Sequence, residues 1–196
     1  LSGRQLRSLY YDFDGGFKIE EVNYKDGSPL SYTINKTMMR LDLNEPLQPG
    51  DDVTFNIKWW YNINNRMKIG GRSGYEYFPE DDNYLYTIAQ FFPRMAVYID
   101  NEGWQNKQFL GRGEFALTFG DYDVEITVPS DHLVSATGTL QNESSVLTDK
   151  MQDRMEEARN SYVDPVIIYS EEEAIENEKE KAEDSKTWHF EAENVR

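Results

Sequence analysis

No cysteine occurs among the 196 residues, which excludes disulfide frameworks, thiol nucleophiles and thiolate metal sites. Histidine is almost as scarce, with two copies, His132 and His189. They do not form the H-E-x-x-H pair that sets two imidazoles on one helical face. His132 follows Asp131 at a turn beyond Pro129, and His189 points away from Trp188 on a strand, so both read as structural or surface residues. Bases are few: 20 Lys and Arg stand against 36 Asp and Glu, a formal net charge of −16. Binding a phosphate backbone needs clustered cations that release counterions, so nucleic acid is not an expected partner. An anionic membrane surface would repel the chain as well. No apolar run approaches the about 18 residues that span a bilayer. The leading LSGRQLRSLYYDF has no apolar centre and is not a signal peptide. No G-x-S-x-G elbow and no phosphate-binding loop is found.

What is abundant is aromatic surface: ten Phe, thirteen Tyr and four Trp. Such residues suit a pleated, half-buried sheet and argue against a disordered chain. The length allows one large β domain, or one domain with an appendage. From Asp14 onward, strands alternate with turn chemistry. In FKIEEVNYKDGSPLSYTI, Phe17, Ile19 and Val22 run into Lys25-Asp26-Gly27, a hairpin signal, with a return strand from Leu30 to Ile34. MMRLDL alternates Met39, Leu41 and Leu43, and EPLQPGDD ends it. Val53, Phe55, Ile57 and Trp59 form one side of the longest clear strand. Trp59 and Trp60 cannot both face inward, so one of them covers a second surface. GGRSGYEYFPEDDN reads as a long surface loop. Later strands are expected in FALTF and YDVEITV, joined at Gly120-Asp121, and in LVSATGTL.

The character changes at Asn142. Residues 141–196 hold 16 acids and 7 bases, a net charge of −9. Leu147, Met151, Met155 and Ala158 recur at helical spacing behind a capping Thr148. VIIY at 166–169 reads as a strand. Ser170 and Glu173 have the capping-box spacing for a second, nearly all-polar helix in EEEAIENEKEKAED. TWHFEA, alternating Trp188, Phe190 and Ala192, is the last strand. The fold class is therefore all-β, with one or two helices in an acidic insertion. The β domain takes residues 1–142 and 187–196, and the helical insertion takes 143–186.

The stretch IAQFFPRMAVYIDNEGW, residues 88–104, stands apart by its aromatic, nearly uncharged first half. Other candidate chemistry is weaker. Glu80, Asp81 and Asp82 read as a solvated loop. Asp12-x-Asp14-Gly15-Gly16 opens like a calcium loop, but its twelfth residue is Asn23 where a bidentate Glu is required. Asn35-Lys36-Thr37 and Asn142-Glu143-Ser144 match glycosylation acceptors.

Four segments, in order, resemble the N-terminal β domain of the aminopeptidase N family of zinc metallopeptidases, the gluzincin group, in its bacterial subgroup. IEEVNYKDGSPLSYTINKTMMRLDLNEPLQPGDDVTFNIKWWYN is similar to the family's hairpin, its Pro-Gly break and its strand ending in an aromatic. QFFPRMAVYIDNEGW is similar to the Q/E…A-R-x-x-F-P-x-x-D segment. GEFALTFGDYDVEITVPSDHLVSATGTLQN is similar to the F-x-L-x-x-x-V-P pattern, and TWHFEAENVR to the W-x-F strand leading into the catalytic domain. The resemblance covers about residues 12–196. Two departures are that Val97-Tyr98-Ile99-Asp100 replaces F-P-x-x-D, and that Pro93 precedes Arg94 where the family usually has Ala.

The resemblance implies a saddle-like fold of twisted sheets and a non-catalytic role capping the active site of a zinc aminopeptidase. The zinc, the H-E-x-x-H motif and the catalytic domain would lie beyond Arg196 in the same polypeptide. Gln90 would hold the free α-amino end of a peptide substrate, its amide oxygen accepting from the ammonium. Phe91 and Tyr98 would line the wall of the first specificity pocket. Arg94 and Asp100 would support that wall through charge-assisted hydrogen bonds. By analogy with bacterial relatives, a periplasmic or extracellular location is expected. The alternative, read from composition alone, is a self-sufficient β-sandwich whose exposed Trp and Tyr bind carbohydrate or a partner protein.

Overall fold

Alternating apolar and polar residues govern most of the described chain, and the fold is all-β with few helices. The computed structural model describes residues 14–109, 116–179 and 181–196. The chain divides into two compact units, Leu1–Ala116 and Leu117–Arg196. The boundary falls inside the stretch read from sequence as one continuous β domain, and the helical insertion 143–186 belongs to the second unit.

In the first unit, β1 (Lys18–Tyr24) pairs antiparallel with β4 (Phe55–Trp60), and β2 (Ser31–Asn35) with β3 (Met38–Asp42). The Lys25-Asp26-Gly27 turn forms, with the Asp26 carboxylate accepting from the Ser28 N–H and hydroxyl. Those two bonds hold the Asp26 carboxyl below its usual range. The strand after the turn nevertheless leaves β1 once Leu30 has donated to the Val22 carbonyl, and it pairs with β3 instead. β4 alternates half-buried Phe55, Ile57 and Trp59 with exposed Asn56, Lys58 and Trp60. Trp60 is therefore the outward tryptophan of the pair. Val22 and Leu30 are the buried apolar side chains among the described residues of this unit.

A short helix, α1 (Arg66–Ile69), is capped by Asn65, whose side-chain oxygen accepts from the Met67 and Lys68 N–H groups. GGRSGYEYFPEDDN is not a long loop. It contains β5 (Gly74–Phe78), which pairs with β6 (Asn83–Thr87) across the turn 79–82. Period-two alternation forces this, since Tyr75 and Tyr77 sit opposite Tyr86 and Tyr84 on one face while Glu76 takes the other. On that other face Arg66 pairs with Glu76 at 3.1 Å and donates to Thr87 at 3.0 Å. Gly74 has φ +143°, and a Cβ there would lie 2.4 Å from the Asn64 carbonyl oxygen, so the helix-to-strand junction requires glycine. The two-residue strands β7 (Tyr98–Ile99) and β8 (Gly103–Trp104) close the unit.

The second unit is built on β9 (Gly120–Pro129), β10 (Thr139–Leu140) and β11 (Ser185–Val195), in the order β10-β11-β9. Residues 116–119 of the FALTF segment are not a strand, and Phe115 lies outside the described residues. β9 takes the 11-residue β11 as its partner rather than a hairpin neighbour. LVSATGTL contributes just Thr139–Leu140, as β10. Between β10 and β11 run α2 (Glu143–Val146), α3 (Asp149–Asn160) and α4 (Glu171–Asn177). Thr148 caps α3 by accepting from the Met151 N–H, and Ser170 with Glu173 completes a capping box on α4. VIIY is not a strand. Its Ile168 carbonyl accepts from Arg154 at 2.9 Å, and Ile168 and Tyr169 pack on the core.

That core is Trp188 and Phe190 of β11 against Val146, Leu147 and Met151. The acidic insertion is thus more than a solubilising appendage: its apolar minority covers the buried face of the sheet. Its charges are organised as well. Glu173 accepts from Lys150 at 2.8 Å and pairs with Arg154, joining α4 to α3. Hydrogen bonds from Lys150, from the Ser170 N–H and from Arg154 push the Glu173 carboxyl down to about 2.

Candidate functional site

The segment from Ile88 to Val97 carries no regular secondary structure, although its apolar content suits a strand. Three anchors hold it. The Ser73 hydroxyl donates to the Ala89 carbonyl and accepts from the Ala89 N–H, both at 2.8 Å. The Trp59 indole N–H donates to the Phe91 carbonyl at 3.2 Å. The Arg94 guanidinium lies 5.6 Å over the Phe92 ring, which meets Phe91 edge-on at 5.2 Å.

Gln90 sits between the first two anchors with φ +53°, a left-handed conformation that costs energy in a non-glycine residue. Its side chain is exposed. Backbone groups on both sides are committed to Ser73 and Trp59, so tertiary contacts hold the bend. Phe91 is 36% exposed beside it.

Tyr98 is 58% exposed on β7 and stacks edge-on with its cross-strand partner Trp104 at 5.4 Å. Asp100 is exposed in the turn between β7 and β8. Arg94 and Asp100 form no ion pair with each other: the guanidinium is engaged with the Phe92 ring, while the carboxylate points into the solvated turn. Aromatic packing and the Ser73 and Trp59 hydrogen bonds hold the segment around Gln90. Sequence reading missed that Ser73 and Trp59 hold the backbone at Ala89 and Phe91. Ser73 falls inside the misread loop, and Trp59 carried the weaker signal of an adjacent tryptophan pair.

A second aromatic surface lies on the β5–β6 hairpin. Tyr75, Tyr77, Tyr84 and Tyr86 share one face, with Tyr77–Tyr84 centroids 4.8 Å apart and Tyr84–Tyr86 stacked at 6.1 Å. The Tyr77 hydroxyl donates to Asp82 at 3.0 Å, and that bond raises the phenol above its usual range. Glu80, Asp81 and Asp82 are all exposed, in keeping with a solvated turn.

Other sequence candidates resolve plainly. Asn142 is engaged, its amide donating to the Thr187 carbonyl and accepting from the His189 N–H. Asp12 lies outside the described residues. His132 bonds Asp131 at 2.7 Å, and the Ala182 N–H together with this contact holds Asp131 below the usual carboxylate range. Among the described residues no helix is long and apolar enough to cross a membrane. Comparison with known protein families, with curated proteins and with solved structures finds no match.

Proposed function

We propose that this chain is the non-catalytic N-terminal β domain of a zinc-dependent aminopeptidase, and that it positions the free α-amino end of a peptide substrate. The observation that carries the reading is Gln90: an exposed amide in a left-handed bend, flanked by hydrogen bonds from Ser73 and Trp59 and followed by exposed Phe91. Strained backbone held by neighbours is a signature of pre-organised sites. An amide oxygen accepts from a substrate ammonium without adding charge, and a fixed bend holds that oxygen where a near-attack geometry needs it. Zinc-bound water on the catalytic domain of the same polypeptide would supply the bond-breaking step. Export to the periplasm or cell exterior belongs to the same proposal.

The test uses the whole polypeptide. Gln90→Ala should lower kcat/KM on aminoacyl substrates by about tenfold or more with the zinc content unchanged, as expected for a positioning group. Residues 1–196 alone should hydrolyse nothing. Zinc-dependent turnover by residues 1–196 alone, or an unaltered kcat/KM in Gln90→Ala, refutes the reading. A carbohydrate-binding module is the second reading, favoured by the four clustered tyrosines on one face of the β5–β6 hairpin. Retention on immobilised polysaccharide, lost in Tyr84→Ala, would decide for it.

A further inference from the structure

We propose that Asp123, His189 and Glu191 form a surface site for a divalent transition-metal ion of the zinc class. The register of the sheet brings them together. His189 pairs with Glu125 and Glu191 with Asp123 across β11 and β9, so all four side chains share the solvent-facing side, opposite buried Trp188 and Phe190. His189 Nε2 lies 2.7 Å from Asp123 Oδ1 and 3.9 Å from Glu191 Oε1, and the three donor atoms fall within 4.8 Å of one another. Ligands around a tetrahedral zinc sit about 3.3 Å apart, given zinc–nitrogen and zinc–oxygen distances near 2.0–2.1 Å. These separations bracket that value. Asp123 and Glu191 have side-chain exposures of 74% and 54%, so small rotations about exposed torsions suffice to close the set.

The donor chemistry selects the ion. One imidazole and two carboxylates suit zinc and its borderline neighbours, whereas calcium and magnesium prefer oxygen alone. The imidazole also separates this group from a mere acidic patch, because it gives the cluster a directional nitrogen. That nitrogen is held on a rigid element. The His189 N–H donates to Asn142 Oδ1, and its carbonyl accepts from the Gln141 N–H, while the adjacent side chains Trp188 and Phe190 are locked in the core. Before metal binds, the short contact with Asp123 is a hydrogen bond through Nε2. When metal binds, the ring proton sits on Nδ1, the neutral imidazole offers its Nε2 lone pair, and the Asp123 carboxylate turns to the same ion. With three protein donors, at least one coordination position stays open to water.

The experiment is a titration of the 196-residue chain with zinc chloride in a non-chelating buffer at neutral pH, followed by calorimetry and by the imidazole 15N resonances. One equivalent should bind in the micromolar range and shift His189 Nε2. His189→Gln should weaken this site at least tenfold, and Asp123→Asn and Glu191→Gln should each do so by a similar factor, with unchanged circular dichroism. His132→Gln should leave it intact, and millimolar magnesium should not displace the zinc. Zinc heats that survive His189→Gln, or an unshifted Nε2 resonance, would mean diffuse association with an acidic surface and would overturn the proposal.

Discussion

Trp188 offers the sharpest test of how the second unit is held together. Its side chain is 1% exposed and stacks nearly parallel to Phe190 at 6.5 Å, with the Lys186 ammonium 5.3 Å from its ring. Burial lowers the Lys186 amine from its usual value. The Trp188 indole N–H is buried and finds no hydrogen-bond partner among the described residues. Trp188→Ala removes the largest fully buried side chain and should cost about 3–5 kcal/mol. A unit of this size is stable by about 4–12 kcal/mol, so much of its margin would go. Trp188→Phe works differently. The volume lost is roughly 40 Å³, or about 1 kcal/mol at about 24 cal/mol per Å³. Against this, an orphaned N–H that costs about 1–3 kcal/mol disappears. The Phe variant should therefore lie within about 1 kcal/mol of the parent. Urea unfolding followed by far-ultraviolet circular dichroism measures both variants. A Trp188→Phe cost above about 3 kcal/mol would refute the reasoning, because it would mean that the indole N–H is satisfied.

Gly138→Ala should destabilise the same unit by about 2–5 kcal/mol, from backbone strain plus overpacking. Its φ is +106°, and a Cβ would stand 2.4 Å from the Glu191 carbonyl oxygen; thermal unfolding reads the effect. The Glu173 carboxyl, held at about 2, binds its proton more readily in the unfolded chain. Its contribution is present above about pH 4.5 and is lost as the pH falls towards 2. Glu173→Gln should flatten stability over that window in an acid titration, and an unchanged pH profile would contradict the Lys150–Glu173–Arg154 junction. Gln90→Gly should raise stability by up to about 1 kcal/mol by relieving the left-handed strain, yet impair peptide turnover in the whole polypeptide as much as Gln90→Ala does. Equal turnover in the Gly variant would show that the bend matters and the amide does not.

Much of the fold is legible in the sequence wherever a local signal agrees with the tertiary outcome. Phe55, Ile57 and Trp59 alternate inward along β4 as expected, although Val53 precedes the strand, which at 6 residues is shorter than β9 with 10 and β11 with 11. Thr148 and the Ser170–Glu173 box mark the helix starts that the backbone adopts. Misreadings arise where partner choice overrides local pattern. Asp26-Gly27 is a genuine turn and pairing with β1 continues through Pro29 to Leu30, but from Ser31 the strand takes β3 as its partner. FALTF has strand composition, yet β9 finds its partner 11 residues long and far along the chain. GGRSGYEYF looked like loop because glycine density masked the Tyr75/Tyr77 alternation. Asn65 before Arg66 and Gly70 after Ile69 were readable caps of α1.

The candidate sites were less legible, for a reason that follows from how side chains are positioned. Residue type at position 90 says that an amide is present; it does not say that Ser73, 17 positions earlier, and Trp59, 31 earlier, hold the backbone on either side of it. The left-handed φ of Gln90 is a tertiary property with no sequence signature, since glutamine has no intrinsic preference for it. His189 makes the same point. Alone on a strand beside Trp188, it reads as bland. It gains Asp123 as a neighbour when β9 and β11 pair in a particular register, and a slip by one residue would carry Asp123 to the opposite face. The buried alternation of Trp188 and Phe190 fixes that register, so the same hydrophobic pattern that builds the core also determines which charged groups meet on its far side.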